Sequence, residues 1–164
     1  MTVISTTKDS ATLTLTVVAE FDATPDDVWD VWEDPRKLAC WWGPSTFPAT
    51  FTRHDFVVGG ESRYFMTGPA GETPRGWWRI DAIDKPRRLE FANGLAGDDG
   101  EPAPEVEPMP GYVTFEAIDR GTRMTAVTRF VSIEQMETML NMGMQEGITQ
   151  AIRQIDALLT PAPV

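Results

Sequence analysis

The sequence predicts an α+β domain of the helix-grip kind: a curved, seven-stranded antiparallel sheet wrapped around one long C-terminal helix, with two short helices after the first strand. Three observations carry that expectation. Residues 12–21, TLTLTVVAEF, set Leu13, Leu15 and Val17 against Thr12, Thr14 and Thr16, the period-two signature of a half-buried strand. Short strand-like runs joined by hairpin-length turns fill the middle of the chain, which implies antiparallel order. The C-terminal stretch then switches to a period of three and four: Met136, Leu140, Gly143, Gly147, Ala151, Ile155 and Leu158 share one helical face.

The elements follow in order. Residues 1–11 read as an N-terminal tail, 12–159 as a single domain and 160–164 as a C-terminal tail. Thr24-Pro25-Asp26-Asp27 opens a helix, with Thr24 as N-cap, Pro25 at the first helical position and acids in the first turn. Val28, Trp29, Val31 and Trp32 form its apolar side. Pro35 ends that helix and starts a second through Leu38 to Trp42, which Gly43-Pro44 stops. Strands are expected over 46–55 and 61–67 around Gly59-Gly60, over 76–83 and 88–92 around Asp84-Lys85-Pro86, and over 112–118 and 122–131 around Asp119-Arg120-Gly121. Between them, residues 93–111 hold four prolines and five acids, and read as a mobile loop at the mouth of a cavity. Ser132-Ile133-Glu134-Gln135 is a capping box for a helix running to about Leu159.

Composition narrows the function classes. At 164 residues the chain has the length of one domain. It carries 14 basic and 25 acidic residues, a net charge of −11, whereas nucleic acid and anionic membranes reward a basic face. No run approaches the roughly 20 apolar residues of a membrane-spanning helix. The start, MTVISTTKDS, shows no basic region followed by an apolar stretch, so no leader is expected and a cytoplasmic location is. One cysteine, Cys40, and one histidine, His54, give no metal-ligand cluster, and no glycine-rich phosphate loop is present. Cys40 reads as a buried spectator beside Trp41 and Trp42, His54 as a surface or interface histidine. No cofactor, metal or catalytic set is therefore expected.

Several motifs share a resemblance: Phe21-Asp22-Ala23-Thr24-Pro25 with Val28-Trp29, Asp34-Pro35, and Trp41-Trp42-Gly43-Pro44. Asp55-Phe56-Val57-Val58-Gly59-Gly60, Gly76-Trp77-Trp78, Pro86-Arg87-Arg88-Leu89-Glu90-Phe91 and Gly121-Thr122-Arg123-Met124 continue it. In this order they resemble the START-like, or Bet-v-one-like (SRPBCC), superfamily. Within it they resemble the activators of the heat-shock protein 90 ATPase and their bacterial homologues, a group that includes proteins related to the calicheamicin-resistance protein. The resemblance spans roughly residues 12–159 and implies a cavity-forming fold. Many relatives carry Gly-Trp where this chain has Gly147-Ile148, which implies a changed cavity floor.

The aromatic residues exceed what a small core needs, and a hydrophobic cavity with few polar anchors is the usual form of a small-molecule site. The candidate ligand-binding residues are Trp42, Phe51, Tyr64, Met66, Trp78, Phe91, Phe115, Met136, Leu140, Gly143 and Gly147. Alternation sets Tyr64 and Met66 on one face and Phe65 on the other, and opposes Trp77 to Trp78. Met139 and Met142 are expected outside the inner helical stripe. The expected function is binding of a hydrophobic small molecule without catalysis, for sequestration, sensing or a stress or resistance role. A cyclase- or hydrolase-like enzyme using Arg53, His54 or Tyr64 is the alternative, and a chaperone-ATPase-interacting module or a weak homodimer stays open.

Overall fold

The computed structural model describes residues 3–159. Its strands are β1 (Val3–Asp9), β2 (Thr14–Phe21), β3 (Ala49–His54), β4 (Glu61–Met66), β5 (Arg75–Asp84), β6 (Arg88–Ala96), β7 (Met109–Ile118) and β8 (Gly121–Arg129). They form one antiparallel sheet in the order β1-β2-β8-β7-β6-β5-β4-β3. The helices α1 (Pro25–Glu33) and α2 (Pro35–Trp41) connect β2 to the far edge of that sheet at β3. After β8 come α3 (Ile133–Asn141), α4 (Met144–Arg153) and a 3-10 turn over Gln154–Leu158.

Eight strands stand where seven were expected, because the expected N-terminal tail forms an edge strand. Thr6 pairs with Val17 and Lys8 with Leu15 along β2. Residues 5–9 leave most of their side chains exposed, so this strand is held by its ladder rather than by an apolar face, and alternation could not announce it. The two short helices accordingly follow the second strand. The expected tail 160–164 lies outside the described residues.

The helix starts follow their capping residues. Thr24 Oγ1 accepts from the Asp27 amide at 3.3 Å, and Asp34 ends α1 while its carboxylate accepts from the Arg36 amide at 2.9 Å to begin α2. Val28, Trp29, Val31 and Trp32 are buried, and the Trp41 indole donates to the Val31 carbonyl at 2.8 Å, fixing α2 on α1. Cys40 is exposed, contrary to expectation; its thiol donates to the Arg36 carbonyl on the solvent side of α2.

Two further expectations are corrected. The irregular segment shrinks to 97–108, since β6 runs on to Ala96 and β7 begins at Met109. It is also tied down: the Ala103 amide donates to the Leu95 carbonyl at 2.9 Å, Arg63 pairs with Glu101 at 3.0 Å, and Gln135 Nε2 donates to the Glu107 carbonyl at 2.7 Å. The C-terminal helix is not continuous. Ser132 Oγ caps α3 by accepting from the Gln135 amide at 3.1 Å, but Gly143 takes φ of 88°, a left-handed conformation that ends one helix and starts the next.

The core divides accordingly. One cluster joins Phe21, Trp29, Trp32, Trp41, Trp78, Phe91 and Phe115 to Ile152 and Ile155 of the last segment. A second joins Leu15, Met109 and Phe130 to Met136 and Met139 of α3.

Candidate functional site

A cavity of about 420 Å³ lies between the sheet and the broken helix, bordered by members of both core clusters. That is the size of pocket that holds a small molecule. Its floor is built from β4, β6, β7 and β8, from Tyr64 and Met66 through Phe91, Asn93, Leu95, Met109 and Val113 to Ala126 and Thr128. Trp32, Trp41, Trp42, Pro44 and Phe47 close one end, and Met139, Met142, Gly143, Met144, Gly147, Ile148, Ala151 and Ile152 roof it.

Missing side chains create the space. Tyr64 lies opposite Gly76 in the β4–β5 register, and Phe91 opposite Gly111 in the β6–β7 register. Each ring lies flat across its glycine partner: a Cβ at Gly111 would stand 2.9 Å from the Phe91 ring. The rings thus line the floor instead of standing up into the void. On the roof, a Cβ at Gly147 would meet nothing within 4 Å, so this helical glycine is not there for close packing.

The wall is electrically neutral: among the described residues that line the cavity none is charged and none is a histidine. The polar points are few. Asn93 Nδ2 is committed to the Met109 carbonyl at 3.0 Å, which leaves its carbonyl oxygen as an acceptor, and Thr128 adds a hydroxyl. Tyr64 keeps accessible surface although protein surrounds it, because that surface is cavity wall. Burial raises its pKa, and the nearby Trp42 indole opposes the rise only in part, so the phenol keeps its proton. Trp42 Nε1 is buried and makes no hydrogen bond.

The structure brings together Trp42, Tyr64, Met66, Phe91, Gly143 and Gly147 of the expected binding residues. The other five stand elsewhere. Trp78 stacks on Phe91 with ring centroids 4.7 Å apart and meets Trp42 edge-on at 4.7 Å, so those two rings separate it from the void. Phe51 packs on Tyr64 at 5.1 Å, and Phe115 packs on Trp29 at 5.2 Å. Met136 belongs to the second core cluster with Leu140 against it. In exchange, Met139 and Met142 line the cavity after all, because the break at Gly143 turns the end of α3 over it. Asn93 was hidden by its place in the expected loop. Its parity with Phe91 on an extended β6 is the signal that would have found it.

The residues of the enzymatic alternative are dispersed. Arg53 is engaged with Asp55 at 2.6 Å and Glu61 at 3.0 Å on the exposed side of β3. His54 is not the expected surface residue: Nε2 donates to the Trp32 carbonyl at 3.0 Å, which leaves Nδ1 to accept from the fully buried Ser62 hydroxyl at 2.6 Å. Burial lowers its pKa, the hydrogen bond to Trp32 opposing, and the ring does not line the cavity. Among the described residues no group of three or more metal-ligating side chains occurs, and no helix is long and apolar enough to cross a membrane.

A curved antiparallel sheet closed over an internal cavity by a C-terminal helical segment defines a helix-grip protein of the START-like class. Residues 22–160 match the family described as Activator of Hsp90 ATPase homolog 1-like protein, and the chain belongs to that family. A protein of Arthrobacter aurescens, solved by NMR, is 48% identical over 94% of this chain and 90% of its own, with a TM-score of 0.90. A crystal structure from Mycobacterium smegmatis is 42% identical over 99% of each chain, with a TM-score of 0.89. The AHSA1 protein of Silicibacter pomeroyi, 21% identical over 88% of this chain and 95% of its own, shares the fold at a TM-score of 0.71. No curated protein matches the chain.

Proposed function

We propose that this protein binds a neutral hydrophobic small molecule in the cavity and does not transform it, so that it sequesters or senses its ligand. The supporting observation is the chemistry of the wall, whose described residues are apolar with isolated hydrogen-bonding groups and carry no charge. Such a wall favours transfer of apolar surface from water, at about 25 cal/mol per Å². It also rejects ions, because a charge buried without a partner is strongly disfavoured. A cyclase or hydrolase would need a proton acceptor poised near neutrality. Among the described residues that line the wall Tyr64 is the one titratable group, and its pKa is shifted away from that range.

The test is thermal unfolding in the presence of paired compounds, each neutral aromatic set beside the carboxylate of the same skeleton. A neutral ligand at a hundred times its dissociation constant adds about 2.7 kcal/mol to the folded state. For a chain of this length each kcal/mol raises the midpoint by roughly 2–4 °C. Neutral compounds should raise the midpoint and their carboxylates should not. Equal shifts within the pairs, or none anywhere in a broad apolar panel, would sink the reading.

A further inference from the structure

Gly147 is a glycine that neither backbone conformation nor packing requires. Its amide donates to the Gly143 carbonyl at 2.9 Å and its φ is not positive, so it is an ordinary residue of α4. After proline, glycine is the least favourable residue in a helix interior. The other glycines have structural reasons. Gly59, Gly71, Gly100 and Gly143 hold positive φ, and at each remaining glycine except Gly147 an added Cβ would come within 3.3 Å of a neighbouring atom. At Gly147 that Cβ would meet nothing within 4 Å. The open space lies on the cavity side. Met144, Gly147, Ile148, Ala151 and Ile152 of α4 line the cavity, while Gln145, Glu146, Thr149, Gln150 and Arg153 do not. Gly147 therefore belongs to the apolar arc of the helix, one turn before Ala151.

We propose that Gly147 sets the size limit of the ligand: a broad neutral guest, of fused-ring rather than single-chain girth, occupies the space a side chain would take there and rests on the bare backbone of α4. The inference rests on the cavity being a ligand site and adds the dimension by which that site selects. Alanine or leucine at this position would favour the helix and cover apolar wall. A guest too narrow to reach α4 would bind equally well beneath either of them, and the glycine would then weaken the helix with nothing in return. The described residues of the wall carry no charge, so the guest is chosen by fit and not by ion pairing.

The experiment uses naphthalene and pyrene, two neutral hydrocarbons that differ in breadth. Protein is titrated into a trace of each, and dissociation constants are read from the fluorescence for the wild type and for Gly147→Leu. The pyrene-to-naphthalene affinity ratio should fall about tenfold or more in Gly147→Leu, the discrimination that a single misplaced methylene gives in an apolar pocket. Gly147→Ala should show a smaller fall in the same direction, and it decides the question if the leucine variant does not fold. In the wild-type complex, intermolecular nuclear Overhauser effects should connect pyrene to the Gly147 α-protons. An unchanged ratio, or bound pyrene with no such contact, would overturn the role of Gly147 and leave the binding site standing. Binding of naphthalene but not pyrene by the wild type would do the same. Failure of both compounds to bind would overturn the two together.

Discussion

The Tyr64 hydroxyl occupies the space that a side chain at Gly76 would need: an added Cβ there would stand 2.2 Å from that oxygen. The two residues face each other across β4 and β5, so the phenol lies along the sheet and its polar end is held at the cavity floor. Gly76→Ala should therefore overpack the floor and lower stability by about 1–3 kcal/mol. In a Tyr64→Leu background the same change should cost much less, giving a coupling above about 1 kcal/mol in a double-mutant cycle read by urea unfolding. Additive effects would mean that the two residues do not constrain each other.

The roof glycines should respond in opposite directions. Gly147 sits inside α4 with nothing within 4 Å of an added Cβ, so Gly147→Ala should stabilise the free protein by about 1 kcal/mol. Gly143 holds φ of 88°, so Gly143→Ala should destabilise by about 1–2 kcal/mol. Denaturant midpoints of the two variants decide it. A loss of stability in Gly147→Ala would show that the roof has no free space at that point.

His54 predicts a pH dependence. Its pKa is lowered in the folded protein from 6.5, chiefly by burial, so below that value the unfolded chain binds more protons than the folded one. Its contribution to stability is complete above about pH 6.5 and is lost as pH falls toward the depressed folded value. His54→Gln retains a donor for the Trp32 carbonyl without the titration. Urea midpoints at pH 8 and pH 5.5 should diverge more for the wild type than for the variant; parallel losses would refute the assignment.

The segment 97–108 should loosen without loss of the fold. Arg63 holds Glu101 at 3.0 Å and donates to the Gly100 carbonyl at 3.4 Å, and Glu101 is 59% exposed. A half-exposed pair of this kind is worth less than about 1 kcal/mol. Glu101→Gln should leave the melting temperature nearly unchanged while amide exchange across the segment accelerates. Unchanged exchange would assign the ordering to the backbone bonds at Leu95 and Ala103.

Much of the fold was legible because local rules and tertiary structure agree. The alternation in β2, the caps at Thr24 and Ser132, and the proline starts of α1 and α2 all point to the elements they form. What stayed hidden lacked a side-chain signal. β1 is built by backbone pairing along β2, and Gly143 fits a helical period as well as Gly147 does, although one breaks the helix and the other continues it. For the cavity, parity put Tyr64 with Met66 on one face and opposed Trp77 to Trp78, without saying which face is the inner one. It could not say how far the roof extends, and so did not separate the void-facing Tyr64 from the covered Trp78. His54 lay beyond reach because its partner is a backbone carbonyl at Trp32, 22 residues earlier in the chain.

The break in the roof has a mechanical consequence. α3 is anchored to one core cluster through Met136 and Met139, and α4 to the other through Ala151 and Ile152. The joint between them, Gly143, lies over the void with no neighbour within 4 Å of an added Cβ. The two helices are thus short rods joined at their least supported point, with Met144 and Ile148 of α4 reaching back to the cluster beneath α3. Capacity depends on the angle between the rods as much as on any lining side chain. Rotation at that single residue, Gly143, would change the volume beneath both rods.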